Sequence, residues 1–267
     1  MPDGSLLLLP TLPVAVIGAG PVGLAAAAHL RARGLTPLVL EAGPDAAAAV
    51  RAWGHVHIFT PWRLNIDGAA RALLEMQGWT APDAEAYPTG AELAGLYLAP
   101  LARALGSAVR TDARVVGISR RHHDLMRDAG REDAPFVLHF AGSDSAVEEV
   151  EAAAVTDCSG TWASPNPAGP HGLPASGEAA HRGRTAYGAP DVLGTERSTY
   201  AGQSVLVVGA GHSAMNVVLD LARLARDAPG PRIAWALRKP LGTVRFGGGA
   251  NDGLLKRGAL GARAGVD

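Results

Sequence analysis

Val14-Ala15-Val16-Ile17 runs directly into Gly18-Ala19-Gly20-Pro21-Val22-Gly23, and an alanine-rich stretch follows from Leu24 to Arg33. A short apolar run, a glycine turn and a helix-forming segment predict strand, tight turn and helix in that order. Gly34 stops the helix, Leu38-Val39-Leu40 reads as a second strand, and the acidic Glu41 ends it. Together these segments form a βαβ unit, so the fold class is expected to be α/β with parallel strands.

The glycines of such a turn have separate tasks. Gly18 permits the sharp bend, Gly20 lets the backbone approach a pyrophosphate, and Gly23 lets helix and strand pack closely. Pro21 lies in the same turn, ahead of the helix, whose N-terminus then faces the anion. Glu41 stands near the spacing of about 20 residues expected for a ribose partner. Its carboxylate would accept from ribose hydroxyls and would disfavour a ribose carrying a 2′-phosphate.

The same plan occurs a second time. Ser204 to Val208 reads as a strand, Gly209-Ala210-Gly211-His212-Ser213-Ala214 as the turn, Met215 to Arg226 as a helix and Ile233 to Leu237 as the next strand. Ala214 replaces the third glycine. Arg238 and Lys239 follow the last strand in place of an acid, and two cations suit a 2′-phosphate, so the expected dinucleotide is NADPH. The competing reading of Arg238 and Lys239 is an ordinary solvated strand end. His212 and Ser213, at the second helix N-terminus, suit phosphate binding better than acid–base catalysis.

Between the two units, Gly43 to Asp67 has no sustained period, and Trp53, His55, His57, Phe59, Pro61 and Trp62 suggest a structured loop. Ala91 to Leu105 has helical spacing, with Leu93, Leu96, Tyr97, Leu101 and Leu105 on one side. Arg114–Ser119, Phe136–Phe140 and Ala152–Thr156 read as strands, with the polar residues Arg120 to Asp133 as an exposed hairpin connection. Thr161 to Pro174, rich in Pro and Gly, reads as a linker.

Composition excludes several classes. The chain has 267 residues, 48% apolar and 18% charged, with a formal charge of -1. A nucleic-acid binder would carry a basic excess. Gly 34 and Pro 19 imply many turns. The single cysteine, Cys158, rules out a disulfide or a CxxC redox pair within this chain. His55 and His57 lack a third ligand, so no metal is expected. Leu6 to Leu9 is too short for a signal peptide, and no run approaches the roughly 20 apolar residues of a membrane span. A cytoplasmic protein acting on a small molecule is therefore expected, without nucleic-acid or membrane partners.

The quoted turns, with Glu41 and Thr156-Asp157-Cys158-Ser159-Gly160, make residues 12 to 240 resemble the two-dinucleotide-binding-domain flavoproteins, particularly the flavin-containing monooxygenase-like members. The resemblance implies tandem Rossmann-like FAD and NAD(P) domains, three-layer βαβ sheets and a small β-meander. It implies FAD at the first turn, with Ser159 and Gly160 closing that domain and Cys158 as a small packing residue. It further implies an adenine contact near Val115 or Val116. Thr60, Pro61 and Trp62 are either flavin neighbours or a packed aromatic loop.

The implied activity is a FAD-dependent NADPH oxidoreductase of monooxygenase type, in which hydride passes from nicotinamide to flavin and the reduced flavin activates oxygen. No catalytic side chain is assigned. A pyridine-nucleotide disulfide reductase would need two cysteines beside the flavin, and no Baeyer–Villiger signature lies between the turns. The resemblance divides the chain into a FAD domain at 12–162, a linker at 163–201 and an NAD(P) domain at 202–267. Against the family plan that last domain is expected to be incomplete, which favours self-association or a complementary chain. The alternative function is a non-catalytic dinucleotide-binding remnant or regulatory module.

Overall fold

Strand β1 (Val14–Ile17) lies between two parallel neighbours, β2 (Pro37–Leu40) and β7 (Ala154–Asp157), with Val14 in register with Pro37 and with Ala154. That central position buries it: Ala15 and Val16 are fully buried. The computed structural model describes residues 12–142, 146–228, 232–239 and 252–264. The Leu6–Leu9 run and the Pro240–Gly249 tail lie outside the described residues.

A short strand β3 (Val109–Arg110) completes a parallel sheet of order β3-β2-β1-β7. Alternate residues of a strand face opposite sides. Helix α1 (Pro21–Ala32) packs on β1 and β2, and α4 (Gly68–Glu75) and α6 (Ala99–Leu105) pack on α1. On the other face, Ala15 and Leu40 join Ala113, Leu138, Phe140 and Ala152 in one buried cluster. Four of these belong to or adjoin an antiparallel meander, β4 (Arg114–Arg120), β5 (Phe136–Ala141) and β6 (Val147–Ala152). Helices, parallel sheet and meander are thus three layers, as expected.

Several details differ from the sequence reading. Helix α1 begins at Pro21, not Leu24, because proline suits the first helical position after the extended Gly20. Short helices α2 (Ala48–Ala52) and α3 (Trp62–Asn65) interrupt the aromatic loop. The helix expected over 91–105 comprises α5 (Gly90–Glu92), a π-turn at Leu93–Leu98 and then α6. That wider turn changes the helical phase, so Leu98 is buried while Leu96 is half exposed. The Leu96 carbonyl accepts from the Trp79 indole N–H at 2.9 Å.

Strand β6 was not among the expected strands, and three of its six residues are glutamate. Its glutamates find partners: Arg110 pairs with Glu148, His139 with Glu149 and Arg121 with Glu151. Val150 and Ala152 meanwhile pack into the buried cluster. The single strand expected at Ala152–Thr156 is divided between two sheets, with Ala152 opposite Phe136 in the meander and Ala154 opposite Val14 in the parallel sheet.

The chain forms two compact units. The second contains residues 55–61, 87–90 and the described residues from 161 onward. Within it, the Ile58 N–H donates to Pro88 O at 2.8 Å and the Gly90 N–H to Val56 O at 2.9 Å, joining the two short segments. After α7 (Arg197–Tyr200), parallel strands β8 (Val205–Val208) and β9 (Ile233–Ala236) pack with α8 (His212–Asp227) around Val192, Val207, Val217, Leu221 and Leu224. Helix α9 (Leu255–Ala264) packs on α8 and is started by Asp252, whose carboxylate accepts from Leu254 N–H and pairs with Arg257.

Candidate functional site

In the first turn, the structure requires glycine at two positions, each for a different physical reason. Gly18 has φ +98°, and a Cβ there would lie 2.7 Å from Cys158 O. A Cβ on Gly23 would lie 1.9 Å from Gly18 O, so helix and strand touch at that point. Gly20 differs, because its extended backbone (φ -79°, ψ -174°) is open to any residue. A Cβ on Gly20 would meet no heavy atom within 4 Å, so it borders open space. The first turn of α1 carries no acidic residue, and no side chain caps it, leaving N–H groups and the positive end of the helix for an anion.

Glu41 is fixed at the end of β2. One carboxylate oxygen accepts from Ala19 N–H at 2.7 Å and the other from Gly43 N–H at 2.8 Å. An ionised carboxylate has about four acceptor sites, so capacity remains for ribose hydroxyls. At the end of β7, the Ser159 hydroxyl and N–H both donate to Asp157, at 2.7 and 2.9 Å, and hold that carboxyl below its ordinary range. Gly160 follows with φ +67°. Burial, and then the Asp157 charge, push the Cys158 thiol up, which disfavours the reactive thiolate.

Gly18, Gly20, Pro21, Gly23, Glu41, Ser159 and Gly160 therefore gather at the carboxyl ends of adjacent parallel strands, where open α/β sheets bind ligands. Val115 does not join them through its side chain, which packs against the buried meander cluster. A strand irregularity between Val115 and Gly117 leaves Val116 exposed. Thr60 and Pro61 belong to the 55–61 segment of the second unit, whereas the buried Trp62 belongs to the first.

The second turn has the same outline. Gly209 has φ +115°, Gly211 is extended, and a Cβ on either would meet nothing within 4 Å. Helix α8 begins at His212, earlier than expected, again without a side-chain cap or an acid in its first turn. The exposed Ser213 follows, and Arg238 and Lys239 are exposed just beyond β9. The His212 ring packs edge-on against Phe59 at 5.2 Å, and its buried Nε2 has no hydrogen-bond partner among the described residues. Sequence reasoning missed this pairing with Phe59, and no local pattern signals it.

Residues 13–93 match the family described as FAD dependent oxidoreductase. No curated protein matches the chain. Among solved structures, the bacillithiol disulfide reductase of Bacillus cereus is similar with a TM-score of 0.59 and 19% identity, over 85% of this chain and 59% of that one. The flavin-containing monooxygenase of Stenotrophomonas maltophilia is similar with a TM-score of 0.56 and 23% identity, over 87% and 59%. The S-allyl-L-cysteine S-oxygenase of Allium sativum gives 0.50 and 18%, over 85% and 51%. The chain spans 59% of the length of the first two. Over the residues covered, the chain shares the fold of these solved structures. Among the described residues no helix is long and apolar enough to cross a membrane.

Proposed function

We propose that this chain is the dinucleotide-binding part of a FAD-dependent, NADPH-consuming oxidoreductase of monooxygenase type, a cytoplasmic enzyme acting on a small molecule. The observation that carries this reading is the open side of Gly20, bordered by an uncapped helix terminus and by the backbone-fixed Glu41. FAD fits there. Gly18, Gly20, Pro21 and Gly23 would receive its pyrophosphate, Glu41 its adenosine ribose, and Ser159–Gly160 would close the domain. Val115 would contribute its backbone near the adenine.

Bound flavin supplies the hydride chemistry and the onward passage of electrons to oxygen. The chain's own residues bind and orient. Gly209, Gly211, His212 and Ser213 would receive the second pyrophosphate through backbone N–H groups, since the His212 ring is packed against Phe59. Arg238 and Lys239 would hold a 2′-phosphate by charge-assisted contacts. Between a monooxygenase and a disulfide reductase, the lone and weakly acidic Cys158 favours the first.

The test is an absorption spectrum of the purified protein followed by anaerobic addition of NADPH. A flavin band that NADPH bleaches is expected. A yellow protein that NADPH leaves unchanged overturns the second half of the reading, and a colourless protein favours a non-catalytic remnant.

A further inference from the structure

The two glycine turns share a backbone outline but differ at two positions that change together. In the first turn, a Cβ at the third glycine position would lie 1.9 Å from the carbonyl oxygen of Gly18. The second turn carries that Cβ, because Ala214 stands at the same offset from Gly209 as Gly23 does from Gly18. Its methyl forbids the Gly209 carbonyl the position that the Gly18 carbonyl occupies. A carbonyl kept from that position can take another anchor.

Trp235 provides one. Its indole N–H donates to Gly209 O at 2.7 Å, while the Gly209 N–H donates to Ala236 O at 3.0 Å, so β9 holds both sides of this glycine. The register makes the comparison strict: Trp235 is opposite Val207, two residues before Gly209, and Val39 is opposite Val16, two residues before Gly18. Val39 has no side-chain donor and is fully buried. The first turn thus pairs Gly23 with an apolar residue, and the second pairs Ala214 with an indole donor.

We infer that Trp235 is a positioning residue that holds the second turn in the form open to a dinucleotide pyrophosphate. The ligand named here rests on the proposed function, whereas the anchoring itself does not. Without the indole donor, the Gly209 peptide is free to rotate, and the N–H groups that follow lose their common direction.

The experiment uses the full chain with Trp235→Phe, which keeps an aromatic ring in the cluster and removes the donor. Amide exchange over residues 210–213 should accelerate, and NADP⁺ titrated calorimetrically should bind about tenfold more weakly, the loss of one hydrogen bond. Adding Ala214→Gly lets the turn close as the first one does, so the double variant should recover both. A purely structural role for the ring would give no such rescue. In the parent, NMR should find the Trp235 indole N–H protected from exchange, a readout that requires no variant. Unchanged exchange in Trp235→Phe, no recovery in the double variant or an unprotected indole would each overturn the inference. If the parent fails to bind NADP⁺ while the exchange pattern follows expectation, the dinucleotide assignment falls and the anchoring role stands.

Discussion

At Gly20 an added Cβ would meet nothing within 4 Å, whereas at Gly23 it would lie 1.9 Å from the Gly18 carbonyl. The two glycines should therefore fail differently. Gly20→Val places a branched side chain in the space proposed for the pyrophosphate, on an extended backbone that valine adopts without strain. It should fold normally and retain no FAD. Gly23→Ala forces the helix away from the strand, an overpacking cost of about 1–3 kcal/mol. It should melt earlier, whatever happens to the flavin. Thermal melting and the flavin-to-protein absorbance ratio, read on both variants, separate the two effects. If Gly20→Val kept the parent's FAD ratio, the first site would not be where the cofactor binds.

At the scale of elements, what the sequence revealed was local, and what it concealed depended on contacts between distant segments. The first βαβ unit is legible because strand, turn and helix signals lie within one continuous stretch, and Gly18, Gly20, Gly23 and Glu41 each carry a positional meaning. Strand β6 was not legible, because Glu148, Glu149 and Glu151 become acceptable in a strand only beside Arg110, His139 and Arg121. The π-turn at Leu93–Leu98 was hidden for a similar reason, since no side-chain period encodes it. At the candidate site, Phe59 against His212 and Trp235 on Gly209 are tertiary contacts with no motif. The account of β6 predicts an unequal response along one strand. Glu151→Lys breaks only a surface pair and should cost about 1 kcal/mol or less. Ala152→Asp puts a charge at a fully buried position and should cost several times that, on the order of 3 kcal/mol or more. Urea midpoints of the two variants test the contrast, and equal losses would contradict a strand with one buried and one solvated edge.

Across the whole molecule, the same strand–turn–helix–strand plan ends in opposite charge: Glu41 after β2, and Arg238 with Lys239 beyond β9. On the proposed function, this asymmetry would partition two adenine dinucleotides between the two turns. A fixed carboxylate accepts from a free ribose diol and repels a 2′-phosphate, whereas a pair of exposed cations attracts that phosphate and gains nothing from the diol. The parent should therefore prefer NADPH to NADH. Replacing Arg238 and Lys239 together by Ala should weaken NADPH use on the order of tenfold or more, as expected for lost charge-assisted phosphate contacts. NADH use should barely change, because the backbone of the second turn is untouched, and FAD content should not change at all. Rising ionic strength should erode the same preference in the parent, since both cations are solvent-exposed and their attraction is screened. Steady-state kinetics with each nucleotide at two salt concentrations provide the measurement. Equal efficiency of NADPH and NADH in the parent at low salt would return Arg238 and Lys239 to the status of a solvated strand end. The partition would then rest on Glu41 alone.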